Sequence, residues 1–169
     1  MRYWLFKSEP DAYGIDDLAR DGRTEWSGVR NFRARNIMRE MHVGDLGFFY
    51  HSSTKPPGVA GICEVIEIAH PDPTQFDAQS EYYDPTSRAE RPKWWCVKVG
   101  FIRKLARLIP LEELRGVTAL EGMPLLWRGQ RLSVQPVTEP QWNVIVNLEN
   151  TPPPQPQQNL DGALDLFQA

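Results

Sequence analysis

The chain has 169 residues, 41% apolar and 24% charged, with a net charge of −3 and two cysteines. That length suits one domain with a true core, the net charge argues against bulk electrostatic attraction to nucleic acid, and two cysteines cannot make a disulfide scaffold. No apolar run reaches the ~18 residues of a membrane span, and Met1 leads into Lys7 without a signal-peptide apolar region, so a cytoplasmic protein is expected.

In chain order, Arg2–Lys7 predicts an opening strand, short and aromatic, stopped by Pro10. Residues 15–20 predict a short helix with Gly22 as its C-terminal cap. Asn31 predicts the N-cap of a helix reaching about Met41, with Ala34, Ile37, Met38 and Met41 on one face. Gly44-Asp45 turns the chain into a strand over 46–50, and a second strand over 59–68 follows the break at Lys55-Pro-Pro-Gly58. Residues 69–92 read as a long loop containing four prolines and the pair Tyr82-Tyr83. Residues 93–103 predict a strand with Trp95, Val97, Val99 and Phe101 toward the core and Trp94 on the opposite face. A short helix from Pro110, an extended segment over 129–135 and a helix opened by the capping box Thr138-Glu-Pro-Gln141 complete the domain. In the last helix Trp142, Ile145 and Val146 should pack inward. Residues 151–158, with four prolines and three glutamines, predict a disordered tail to 169. Strands split by short helices without regular alternation imply one α+β domain over 1–150 with a mixed or mostly antiparallel sheet.

Charge is unevenly placed. Residues 9–25 carry Glu9, Asp11, Asp16, Asp17, Asp21 and Glu25 against Arg20 and Arg23, whereas 30–39 carry Arg30, Arg33, Arg35 and Arg39 with no acid. That basic stretch is either a contact face for a partner or a solvated helix face. Phosphate-loop, dinucleotide, zinc-protease and nucleophile-elbow signatures are all missing from the sequence, so no catalytic residue and no cofactor is expected. His42, His51 and His70 with Cys63 and Cys96 have no zinc-site spacing, and both cysteines read as small buried hydrophobes.

Three segments combine aromatic and hydrogen-bonding residues at turns: Trp26-Ser-Gly-Val-Arg-Asn31, Tyr50–Gly58 and Arg131-Leu-Ser-Val-Gln135. In an extended chain Arg131, Ser133 and Gln135 share one face. A flat base is held by stacking and read along its polar edge, which calls for Trp together with Ser, Asn and Gln.

Tyr3–Pro10, Trp26–Asn36, Gly44-Asp45, Phe49–Ser52, Tyr83-Asp-Pro85 and Arg131–Pro136 resemble the EVE domain family over residues 1–149. The resemblance implies a PUA-like curved β-barrel related to YTH domains. It also implies a non-catalytic reader of a modified base, C5-modified cytosine or a methylated base, in DNA, RNA or a modified nucleotide. On that reading Trp26, Gly28, Val29, Asn31, Ser52, Trp94, Ser133 and Gln135 bind the base, and Trp26 and Trp94 wall it in. Arg30, Arg33, Arg35 and Arg131 hold the backbone. Trp26 is expected to be a pocket wall with little share in the core. Gly14 and Ser27 depart from the family pattern, the first at a helix cap and the second beside the pocket. Two other readings stay open: a hydrolase of modified nucleosides, as in similar ASCH-type barrels, using Lys7 and Glu9; and a protein-interaction module using the Pro/Gln tail.

Overall fold

A computed structural model describes residues 1–156. The opening strand β1 (Tyr3–Ser8) buries Trp4, Leu5 and Phe6 in succession, as a strand does when both of its faces are covered. It lies between β3 (Leu46–His51), to which it runs parallel, and β6 (Val134–Val137), to which it runs antiparallel. A parallel neighbour needs a crossover. The crossover carries α1 (Pro10–Tyr13), α2 (Ile15–Asp21), β2 (Arg23–Glu25) and α3 (Phe32–Met38). Long β4 (Gly58–Pro71) and β5 (Trp95–Pro110) pair antiparallel, and the full order is β2-β5-β4-β3-β1-β6. The chain then runs through α4 (Leu111–Arg115) and two 3-10 turns into β6 and α5 (Glu139–Leu148).

The sheet separates two cores. Phe6, Phe49, Val65, Val97 and Val99 on one face pack with Ile15, Leu18, Ala34 and Met38 from α2 and α3. Leu5, Phe48, Val59, Ile62 and Ile109 on the other face pack with Leu114, Trp142 and Ile145 from α4 and α5. Trp142 stacks on both Phe48 and Tyr3, at 4.0 and 4.6 Å between ring centres. Local signals are realised as bonds. Asn31 Oδ1 accepts from the Ala34 N–H at 2.9 Å, and the Thr138–Gln141 capping box opens α5.

The α+β class and the mixed, mostly antiparallel sheet match the expectation from sequence; the closed barrel does not. Short β2 and β6 are the two edges and no ladder joins them. The helix from Asn31 stops at Met38 rather than Met41. Trp95 is only half-buried, because it sits at the first position of β5 opposite Pro71, where the core runs out, and Arg39 covers its ring at 4.7 Å. No described helix is long and apolar enough to cross a membrane. The expected disorder at 157–169 lies outside the described residues.

Candidate functional site

Where a barrel would close, the sheet leaves a cavity of about 600 Å³. Its lining comes from the end of β1 and α1 (Lys7, Ser8, Glu9, Ala12, Tyr13), from Thr24–Arg30, from the loop residues Glu81 and Tyr82, and from Ser133 before β6. That volume falls in the ~300–1,000 Å³ range of small-molecule sites.

Trp26 is fixed before any ligand arrives. Its N–H donates to the Val97 carbonyl at 2.8 Å, and its ring meets Phe6 and Phe49 edge-on at 5.1 and 5.5 Å. It is only 8% exposed, so the wall is also core, contrary to the sequence expectation. Gly28 follows with φ +83°, and a Cβ there would stand 2.8 Å from the Tyr82 ring. Only glycine lets the 26–30 turn approach Tyr82 this closely without strain. Tyr82, 39% exposed, is therefore an aromatic wall of the cavity beside Trp26, and Tyr13 also belongs to the lining.

The residue that joins these parts is Asp72. Fully buried, it accepts hydrogen bonds from the Gly28 N–H (2.8 Å), the Arg30 guanidinium (3.0 Å) and both the N–H and hydroxyl of Thr74 (2.8 and 2.6 Å). Burial alone would raise its pKa, but these donors together hold it below the ordinary carboxylate value. Arg30 also donates to the carbonyls of Val29 and Tyr82 and to Thr74 Oγ1. Gln75, also fully buried, donates to the Asp72 and Trp94 carbonyls and accepts from the Trp94 N–H and the Ser87 hydroxyl. All four of its amide positions are thereby used. The long loop is thus a bonded structure clamped to the 26–30 turn. Neither Asp72 nor Gln75 was singled out from the sequence, although Asp-Pro-Thr at 72–74 is a turn signal, and Tyr82 was noted only as part of a pair.

Of the expected binding residues, Trp26, Gly28, Val29, Ser133 and Arg30 line this cavity. Ser27 and Ser133 are hydroxyl-bearing residues of its lining. Trp94 is elsewhere: buried, stacked on Phe32 at 4.7 Å, with its indole N–H donated to Asp84 at 2.8 Å. Strand alternation misplaced it because it precedes β5 and belongs to the loop. Asn31 is consumed as the α3 cap, and Ser52 donates its backbone N–H to Ser8. Gln135 pairs across the ladder with Leu5, so it faces the α5 side of the sheet, away from Phe6 and Trp26. There its amide donates to the Leu132 carbonyl and its oxygen has no partner.

The expected backbone contacts divide similarly. Arg30 is committed to Asp72, and Arg35 donates to the Lys93 carbonyl and to Asn36. Arg33 and Arg131 are exposed and lie outside the cavity lining. A second depression of about 750 Å³ is lined by Arg35, Thr86, Arg88, Glu90, Arg91, Pro92 and Lys93. Its lining carries Arg35, Arg88, Arg91 and Lys93 against the single acid Glu90. Lys7 and Glu9 both line the first cavity, where the Lys7 ammonium donates to the Gln130 carbonyl at 3.3 Å and burial pulls its pKa below the usual value.

An EVE domain model matches residues 2–148. Mouse thymocyte nuclear protein 1 is 43% identical over 169 aligned residues, spanning 89% of this chain and 75% of that protein. The crystal structure of human THYN1 protein in complex with 5-methylcytosine containing DNA superposes with a TM-score of 0.86 at 39% identity, covering 90% of this chain and all of that one. A yeast YTH domain, from Zygosaccharomyces rouxii, has a TM-score of 0.52 at 13% identity over 88% of this chain and 86% of its own, a likeness of fold alone. The chain belongs to the EVE domain family.

Proposed function

We propose that this protein is a non-catalytic reader that draws one C5-modified cytosine out of DNA into the cavity walled by Trp26 and Tyr82. The observation that carries the reading is the cavity itself: an aromatic wall fixed by Phe6 and Phe49, closed by a turn whose glycine admits the second ring. A site fixed before binding avoids the ordering cost that a mobile site must meet. The human relative with 5-methylcytosine DNA supports the ligand class. Ser27 and Ser133 would read the base edge in place of Asn31 and Gln135. Phosphates would meet Arg33, Arg88, Arg91 and Lys93 rather than Arg30. The binding unit is residues 1–150.

Titration of duplexes carrying one 5-methylcytosine, against the unmodified duplex and the free modified nucleoside, tests this. Tighter binding of the modified duplex is expected, and Ser27→Ala and Ser133→Ala should narrow the preference. Equal affinity for both duplexes would overturn it. A second reading rests on Lys7 and Glu9 lining the same cavity, with the ammonium weakened by burial. Hydrolysis of an acylated nucleoside, lost in Lys7→Met, would favour it.

A further inference from the structure

Glu25, His70 and Cys96 come from three different strands, β2, β4 and β5, and meet on one face of the sheet. His70 is the direct ladder partner of Cys96, and Glu25 is the partner of Lys98, two residues further along the same face of β5. The His70 Nε2 lies 2.6 Å from Glu25 Oε2, and the Cys96 sulfur lies 3.5 Å from each of them.

We propose that these three side chains form a binding site for a divalent transition-metal ion, with Zn(II) the best fit. The donor set is an imidazole, a carboxylate and a thiolate, which Zn(II) accepts together and hard cations do not. Tetrahedral zinc, with bonds of about 2.3 Å to sulfur and about 2.0–2.1 Å to nitrogen and oxygen, places sulfur about 3.5 Å from the other two donors and those two about 3.3 Å apart. Two edges of the triangle therefore already have the metal-bound length. The third must open by about 0.7 Å. It is short because a shared proton joins Nε2 and Oε2, and a metal would replace that proton.

The surroundings agree. His70 Nδ1 donates to the Ile68 carbonyl at 2.8 Å, so once the Nε2 proton has left, the Nε2 lone pair is directed at the other two donors. Cys96 is buried, while the side chains of His70 and Glu25 are 26% and 35% exposed, giving the ion a path in and water the fourth position. Binding releases the thiol proton and the shared proton to solvent, and one dication with one thiolate and one carboxylate is neutral. Lys98 opposes it, since its ammonium stands 3.3 Å from Glu25 Oε1 and 2.8 Å from Glu67. The ion would tie the three-residue edge strand β2 to β4 and β5 and so steady the strand that leads into Trp26. Glu25 also belongs to the lining of the base cavity, but a cobalt titration of the free protein reads metal binding alone.

The untagged, reduced chain titrated with Co(II) chloride tests it. A thiolate-to-cobalt charge-transfer band with visible bands of tetrahedral intensity is expected, and Zn(II) sulfate should bleach both. Cys96→Ser should abolish the charge-transfer band, and Cys63→Ser, altering the other buried cysteine, should keep it. Glu25→Gln and His70→Ala should weaken Co(II) binding at least as much as the ~10–100-fold seen for outer-shell partners. Lys98→Met should bind Co(II) more tightly, a gain that misfolding cannot imitate. No charge-transfer band in the wild type, a band that survives Cys96→Ser, or a Lys98→Met affinity no better than wild type would each overturn the proposal.

Discussion

Asp72→Ala is the sharpest test of how the cavity is built. The substitution removes the acceptor for four donors at once and leaves the Arg30 guanidinium, 22% exposed, beside an apolar methyl. Removing one partner of a buried pair costs about 3–5 kcal/mol. Here Arg30 keeps the Val29, Tyr82 and Thr74 oxygens, and the freed N–H groups lie near a cavity that water can enter. The low end is therefore expected, about 3 kcal/mol, which for a domain of this size lowers Tm by roughly 6–12 °C. Urea unfolding at neutral pH measures the loss. The Asp72 carboxyl is held below its ordinary value in the folded protein. Its stabilisation is thus complete above the unfolded value of about 3.9 and disappears as pH falls through the lower folded value. Wild type and Asp72→Ala should therefore converge in strong acid. A loss under about 1 kcal/mol at neutral pH, or a gap that stays constant into acid, would refute the role given to Asp72.

Gly28→Ala should destabilise by about 1–2 kcal/mol because a non-glycine residue at φ +83° is strained, and it should weaken base binding further by pushing Tyr82; unchanged binding would remove Tyr82 from the site. Gln135→Met deletes a buried oxygen with no partner at the expense of one hydrogen bond to Leu132, so chemical denaturation should show a change within about 1 kcal/mol, and base preference should not move. Replacing Arg88 and Arg91 by Gln should flatten the salt dependence of DNA binding by about 1.4–1.8 in log–log slope, whereas Arg30→Gln should leave the slope alone; the reverse pattern would place the phosphates at Arg30.

The elements that sequence reading located are those whose causes are local. Asn31 caps α3 three residues ahead of its partner, Thr138 and Gln141 close a capping box over the same spacing, and the aromatic run of β1 lies where the pattern put it. What was not legible depends on distance along the chain. Asp72 reaches Gly28 across 44 residues, and Gln75 reaches Trp94 across 19. No periodicity encodes such pairs. Trp94 and Trp95 show the limit of alternation, since a phase argument holds only inside a strand and both residues stand at its boundary. Barrel closure followed from the family resemblance, but the edges β2 and β6 end short of one another with the cavity between them.

The arginines between 30 and 39 make the same point about charge. Side by side in the sequence they resemble a surface made for phosphates, yet Arg30 closes on Asp72, Arg35 on the Lys93 carbonyl, and Arg39 on the Trp95 ring. Among the described residues the side chains of Arg33 and Arg39 have no hydrogen-bond or ion-pair partner, and Arg39 has the Trp95 ring instead. Arg30 and Arg35 bind the long loop, an otherwise acidic and proline-rich stretch, against the turn that holds Trp26. A guanidinium with several donors in a fixed plane can satisfy carbonyls and a carboxylate at once, which an ammonium cannot. The segment that supplies the cavity wall thus also supplies the clamp on the opposite loop, and both sides of the site are set by one stretch of chain. The Trp26 side of the site rests on the core, and the loop side is held without a disulfide because every buried polar group along the clamp, Asp72 and Gln75 foremost, has its partners.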